Sequence, residues 1–129
     1  MLFRSSVLDD QTDSPTNVKD LSQALLKIGE RLMAAQATDP KHPSHEVFHV
    51  CNAGPATRYE MTLRMKEWLN LTGVKVEKAD RSQVQNRLAI RPAYVVMSTA
   101  RYEKFSGTKM RPWQESLKEY LTEAVPCVS

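Results

Sequence analysis

The sequence predicts a small, helix-rich α/β domain with a minimal sheet. Three observations predict it. Apolar residues at helical spacing alternate along the chain with short β-rich runs. Proline and glycine fall between those runs rather than inside them. The length, 129 residues with 41% hydrophobic and 26% charged, is enough for one buried core but not two.

The chain opens on an acidic, turn-forming run, "DDQTDSPTNVKD", from Asp9 to Asp20. Val18, Leu21, Leu25, Ile28 and Leu32 follow at spacings of three and four, one apolar stripe on a helix reaching about Gln36. Thr16 is its expected N-cap, and Asp20 lies in the first turn, where the helix dipole favours an acid. "ATDPKHPSHE" reads as a loop broken by Pro40 and Pro43. "VFHVCNAG", Val47 to Gly54, is β-rich and stops at a Gly-Pro step, so a strand is expected there.

Thr57 and Glu60 have the spacing of a capping box, and Met61, Met65, Trp68 and Leu69 form the expected buried face of the helix they open. Gly73 is its expected C-cap. "VKVEK" alternates apolar and polar residues, as a half-buried or edge strand does. "ADRSQVQNRLAIRPAYVVMS" carries no helical stripe, and Pro92 biases Arg91 away from the helical region. It reads as extended, closing on a short strand at Tyr94 to Met97. Ser98 is expected to cap a short helix through Phe105, stopped by Gly107. Pro112 opens a final helix buried along Trp113, Leu117, Tyr120 and Leu121.

Several chemistries find no support. The formal charge is +3, but Lys and Arg are scattered and alternate with acids, unlike the clustered footprint of a nucleic-acid surface. A mild positive excess suits a small phosphorylated ligand instead. No apolar run reaches the roughly 20 residues of a membrane span, and Arg4 interrupts the short apolar start, so no membrane segment or signal peptide is read. Cys51 and Cys127 then read as free thiols in a reducing cytosol. His42, His45 and His49 are split by Pro43 and read as solvated histidines rather than a zinc site. No serine sits in a nucleophile elbow, and the "NLT" sequon is discounted in a chain read as cytosolic. The four glycines, Gly29, Gly54, Gly73 and Gly107, are isolated and cannot cradle a pyrophosphate. No tyrosine has a lysine four residues later: Leu63, Ser98, Ser106 and Ala124 stand in those places.

Four blocks carry a resemblance. "DDQTDSPTNVKDLSQALL", "VFHVCNAGPATRYEMTLRM", "AIRPAYVVMS" and "MRPWQESLKEYL" resemble, in that order, segments of the dTDP-4-dehydrorhamnose reductases of the extended short-chain dehydrogenase/reductase superfamily. The blocks cover about Leu8 to Val125. The resemblance implies the small, helix-rich C-terminal lobe of such an enzyme, with the N-terminal Rossmann domain mostly absent. Residues 1–16 would then be the joint to that domain, 17–125 a substrate-binding-like domain and 126–129 a tail. The implied ligand is a nucleotide-diphosphate sugar, and the implied cofactor of the full-length family is NADP(H), with none held by this chain and no catalytic residue in it.

The resemblance also implies site residues. Arg91 matches the arginine offered to the sugar-nucleotide diphosphate, against the plainer reading of a surface arginine held extended by Pro92. Gln11, Ser14, Pro15 and Thr16 match the loop bordering the cleft, and Asn52 and Gly54 match the turn after a strand. Asp13 stands where the family has glycine, and Val95 where serine is common. "TRYEM" and "TNVKDL" are also similar to the regulatory β subunit of methionine adenosyltransferase, so a non-catalytic module docking on an enzyme partner is the alternative. Without the Rossmann half, an uncovered apolar face is expected to drive formation of a homo-oligomer.

Overall fold

A computed structural model describes residues 3–42, 45–83 and 91–124. The order is β1 (Phe3–Leu8), β2 (Thr12–Asp13), α1 (Val18–Thr38), β3 (Ala56–Thr57), α2 (Arg58–Trp68), β4 (Val74–Ala79), a 3-10 turn at Arg81–Gln83, α3 (Ala100–Ser106) and α4 (Trp113–Ala124). This is the helix-rich α/β fold with a minimal sheet that the sequence predicts. β1 and β4 pair in parallel from Phe3 opposite Val74 to Leu8 opposite Ala79. β2 and β3 form a two-residue antiparallel pair, Thr12 opposite Thr57 and Asp13 opposite Ala56. The sequence predicts no element ahead of α1. "FRSSVL" alternates too weakly to announce a strand, and its partner lies some seventy residues away in the chain.

Helix α1 is capped by Asn17 rather than Thr16. The Asn17 side chain accepts from the Lys19 N–H at 2.8 Å, while the Thr16 hydroxyl turns back to the Ser14 carbonyl at 3.2 Å. Its apolar stripe is only partly inward: Leu21, Ile28 and Leu32 are half-buried, and Ile28 packs on the core. Asp20 and Ala24 are buried, whereas Val18 is 73% and Leu25 56% exposed. Asp20 is held by groups on three other segments, and those bonds keep its side of the helix turned inward.

Helix α2 begins on the expected capping box, with Thr57 accepting from Glu60 N at 3.1 Å and Glu60 accepting from Thr57 N at 2.8 Å. Its expected inner face, Met61, Met65, Trp68 and Leu69, is only half-buried. It ends at Trp68 with Leu69 as its C-cap, and Asn70 takes the left-handed turn expected of Gly73, with φ 50. Gly73 instead offers its carbonyl to Phe3 N at 2.9 Å, ahead of β4.

Two expected strands do not form ladders. Among the described residues, Val47–Gly54 makes a single bridge, Ala53 to Pro112, and Tyr94–Met97 a single bridge, Tyr94 to Thr12. A strand exists only where a neighbour answers its backbone, which propensity cannot supply. Part of the expected extended run, residues 84–90, and the tail with Cys127 lie outside the described residues.

Helix α3 is preceded by Thr99, whose hydroxyl donates to Glu103 at 2.8 Å, rather than capped by Ser98. Gly107 ends it as expected, at φ 69, with its N–H on the Glu103 carbonyl. Helix α4 follows Pro112. Trp113 and Leu121 are buried as expected, but Tyr120 is 54% exposed. The core is Ala24, Tyr102 and Met110, with Ile28, Phe48 and Val50 packed on it. Burying a ring such as Tyr102 contributes about 2 kcal/mol relative to leaving it in water.

Candidate functional site

The acidic opening run is fastened at both ends. Asp9 accepts from the Thr57 hydroxyl at 2.7 Å and pairs with Lys78 at 2.6 Å, and the Lys78 and Thr57 hydrogen bonds hold its carboxyl below the ordinary carboxylate pKa. Asp10 accepts from Arg81 N at 2.9 Å and Arg81 Nε at 2.7 Å. Burial alone would raise the Asp10 pKa, but these bonds outweigh it and lower it. Arg81 also donates to the Arg91 carbonyl, so one guanidinium ties the opening run to the Arg91–Pro92 segment.

That segment continues alongside the turn. Thr12 N donates to the Ala93 carbonyl at 2.8 Å, Val95 N donates to the Thr12 carbonyl at 2.9 Å, and Met97 N donates to Ser14 Oγ at 2.9 Å. Ser14 thus accepts one bond and keeps its own proton to donate. Asp13 lies in β2 without a positive φ, so the aspartate carries no strain where the family has glycine. It accepts from Gln11 Nε2 at 3.3 Å.

Beneath the turn is a buried polar cluster. Asn52, 1% exposed, accepts from Asn17 N at 2.8 Å and donates to Asp20 at 2.6 Å and to the Arg111 carbonyl at 3.3 Å. Asp20 also accepts from Ser116 Oγ at 2.6 Å and from Arg111 Nε and Nη2 at 2.9 Å. Burial pushes the Asp20 pKa up, and the bonds from Arg111, Ser116 and Asn52 bring it below the ordinary value. Arg111 is raised in turn by Asp20 and Glu119. Gly54, at φ +93, lies where a Cβ would come within 3.3 Å of the Trp113 ring, whose Nε1 donates to the Pro55 carbonyl.

Ser14, Asn52 and Gly54 line one concavity of about 300 Å³, closed on its other side by Val96–Ala100 and Glu103. Pro15 and Thr16 border a second hollow of about 200 Å³, shared with Asn52, Trp113 and Tyr120. Gln11 and Arg91 line neither; Arg91 is exposed, on the segment that pairs along the turn. The Asp20–Asn52–Arg111–Ser116 cluster escaped the sequence reading. Its one visible sign was an acid on the helix line that includes Ala24, a position read only as a dipole partner.

The chain's glycines do not fit a dinucleotide. Gly29 is inside α1, Gly54 packs on Trp113, Gly73 precedes β4 and Gly107 caps α3, so none opens a strand-to-helix phosphate turn. His42 is half-buried, while His45 and His49 are exposed. Among the described residues no helix is long and apolar enough to cross a membrane.

The fold is that of a small, helix-rich lobe rather than a complete Rossmann domain. The chain belongs to the family described as RmlD substrate binding domain, whose model matches residues 4–125. It is 32% identical over 117 residues to the spore coat polysaccharide biosynthesis protein SpsK of Bacillus subtilis, covering 91% of this chain and 36% of that protein. It is 30% identical over 119 residues to a dTDP-4-dehydrorhamnose reductase of Mycolicibacterium smegmatis, covering 92% and 33%. Among solved structures, the dTDP-4-dehydrorhamnose reductase of Bacillus anthracis, in complex with NADP, superposes with a TM-score of 0.76 at 23% identity, over 94% of this chain and 38% of that one. That of Clostridium acetobutylicum superposes at 0.74 and 25% identity, over 95% and 39%. The chain thus spans about a third of the length of the relatives it matches.

Proposed function

We propose that this chain is the sugar-nucleotide-gripping part of a reductase similar to the dTDP-4-dehydrorhamnose reductases, and that alone it reduces nothing. The observation that supports the reading is the set of hydrogen bonds that lays Ala93–Met97 along Thr12–Ser14, with Arg81 bridging Asp10 to the Arg91 carbonyl, so that the turn and the arginine segment run side by side. Both resemble the family's ligand-facing segments.

In this reading Arg91 donates two parallel hydrogen bonds to the diphosphate, as a planar guanidinium does best. Ser14 donates its free hydroxyl proton, while Gln11, Pro15 and Thr16 shape the border. Asn52 works indirectly: its amide is spent on Asn17, Asp20 and Arg111, so it positions the turn. NADP(H), which supplies hydride in the reductase reaction, would be bound by polypeptide outside these 129 residues, as would the proton donor. The setting is the cytosol, where the buried Cys51 thiol stays reduced.

The test is affinity for a dTDP-sugar by calorimetry. Arg91→Ala should weaken binding about tenfold or more, and Arg91→Lys should recover only part, since the point charge loses the bidentate geometry. Equal affinity in all three proteins would remove Arg91 from the site.

A further inference from the structure

A further cleft, of about 370 Å³, lies between α1 and the Thr108–Arg111 segment, and no residue of Gln11–Thr16 or Arg91–Thr99 lines it. That volume is within the range of small-molecule sites. Its floor is Ala24, Met110 and the Tyr102 ring, all buried. Its cations fall into two groups. At one end Lys19 pairs with Glu119 and Glu123, and Arg111 with Asp20 and Glu119, so each already has its counter-charge. Lys27 lies eight residues further along α1, about 12 Å away by the helical rise. Among the described residues, neither Lys27 nor Lys109 pairs with a carboxylate. The half-buried Lys27 donates to Thr108 Oγ1, and the Thr108 hydroxyl keeps its own proton to give. Tyr102 is 2% exposed, yet among the described residues its hydroxyl makes no hydrogen bond, and the cleft it lines is where that proton can go.

The Lys27 end of the cleft therefore offers donors and no free carboxylate: two ammonium groups and two hydroxyls above an apolar floor. Water can accept from any one of these groups, but it cannot balance two positive charges. A doubly charged oxyanion does both. We infer that this end of the cleft binds the terminal phosphate of a small phosphorylated molecule, at a site separate from the proposed sugar-nucleotide rim. Lys27 and Lys109 act as point charges on the phosphate, as lysine does. The Thr108 and Tyr102 hydroxyls fix its oxygens, and Ala24 and Met110 cover the carbon part of the ligand. Charge sets the class. A phosphate monoester carries close to two charges at neutral pH, matching the two lysines without partners. A carboxylate carries one, and the internal diphosphate of a nucleotide sugar carries one on each phosphorus.

Amide NMR on the labelled chain tests it, with phenyl phosphate as the probe and chloride holding the ionic strength. Shifts should concentrate at Lys27, Tyr102 and Thr108–Arg111, and inorganic phosphate should reverse them by competition. Benzoate, with the same ring and a single charge, should bind about tenfold more weakly. Lys27→Gln and Lys109→Gln should each weaken the probe by about five- to tenfold. Lys109 is exposed, so its variant does not put the fold at risk. Tyr102→Phe keeps the ring and should cost about threefold. Lys104→Gln removes the same charge from an exposed position outside the cleft and should change nothing. Shifts elsewhere, or none, would overturn the inference. So would equal weakening by Lys104→Gln, which would reduce the effect to overall charge. Benzoate binding as tightly as phenyl phosphate would remove the phosphate from the account. Displacement of the probe by a dTDP-sugar would show one site rather than two.

Discussion

Asp20 shows how one side chain can govern a helix. Four bonds from Asn52, Ser116 and Arg111 converge on its carboxylate, and they tie α1, the turn at Asn52 and α4 into one unit. Removing one partner from such a buried pair leaves charge without compensation, at a cost of about 3 kcal/mol. Asp20→Asn should therefore lower the stability measured by urea unfolding by about that amount. The pH dependence has a defined sign. The folded pKa of Asp20 lies below its unfolded value of 3.8, so its stabilisation is fully present above about pH 4 and is lost as pH falls through the lower, folded value. The Asn variant should lose this part of the acid transition. An unchanged acid limb would show that Asp20 is not the titrating group.

At the scale of elements, Thr57 joins two jobs. It caps α2 and donates to Asp9, so the start of the helix and the end of the opening run share one hydroxyl. Thr57→Ala should destabilise the chain by about 1–2 kcal/mol, and Thr57→Ser should restore most of that. Full stability in the Ala variant by thermal melting would show that the box is ornamental. The same scale explains what was legible beforehand. Capping box, Gly107 stop, Pro112 start and the β4 strand depend on neighbours a few residues away, and all stand in the structure, although the alternation of β4 breaks at Glu77 and Lys78. The rotation of α1, the pairing of β1 and the absence of a ladder at Val47–Gly54 depend on contacts far along the chain. No local pattern contains them. The candidate site divides the same way. Its residues were reached through family resemblance, while the Arg81 and Asp20 ties that hold them needed coordinates.

As a whole, the molecule is a lobe of the family described as RmlD substrate binding domain. The lobe presents a concavity rimmed by Ser14, Asn52 and Gly54, and its glycines make no pyrophosphate cradle. Mixed with NADPH and a dTDP-4-dehydro-sugar, it should give no turnover above background. The most direct measurement is a titration of the isotopically labelled chain with a dTDP-sugar, followed by amide NMR. The account predicts shifts concentrated at Gln11–Thr16, Asn52–Gly54 and Arg91–Thr99, lost in Arg91→Ala. Shifts centred instead on the cleft lined by Lys19, Lys27 and Lys109, or no shifts at saturating sugar, would contradict it.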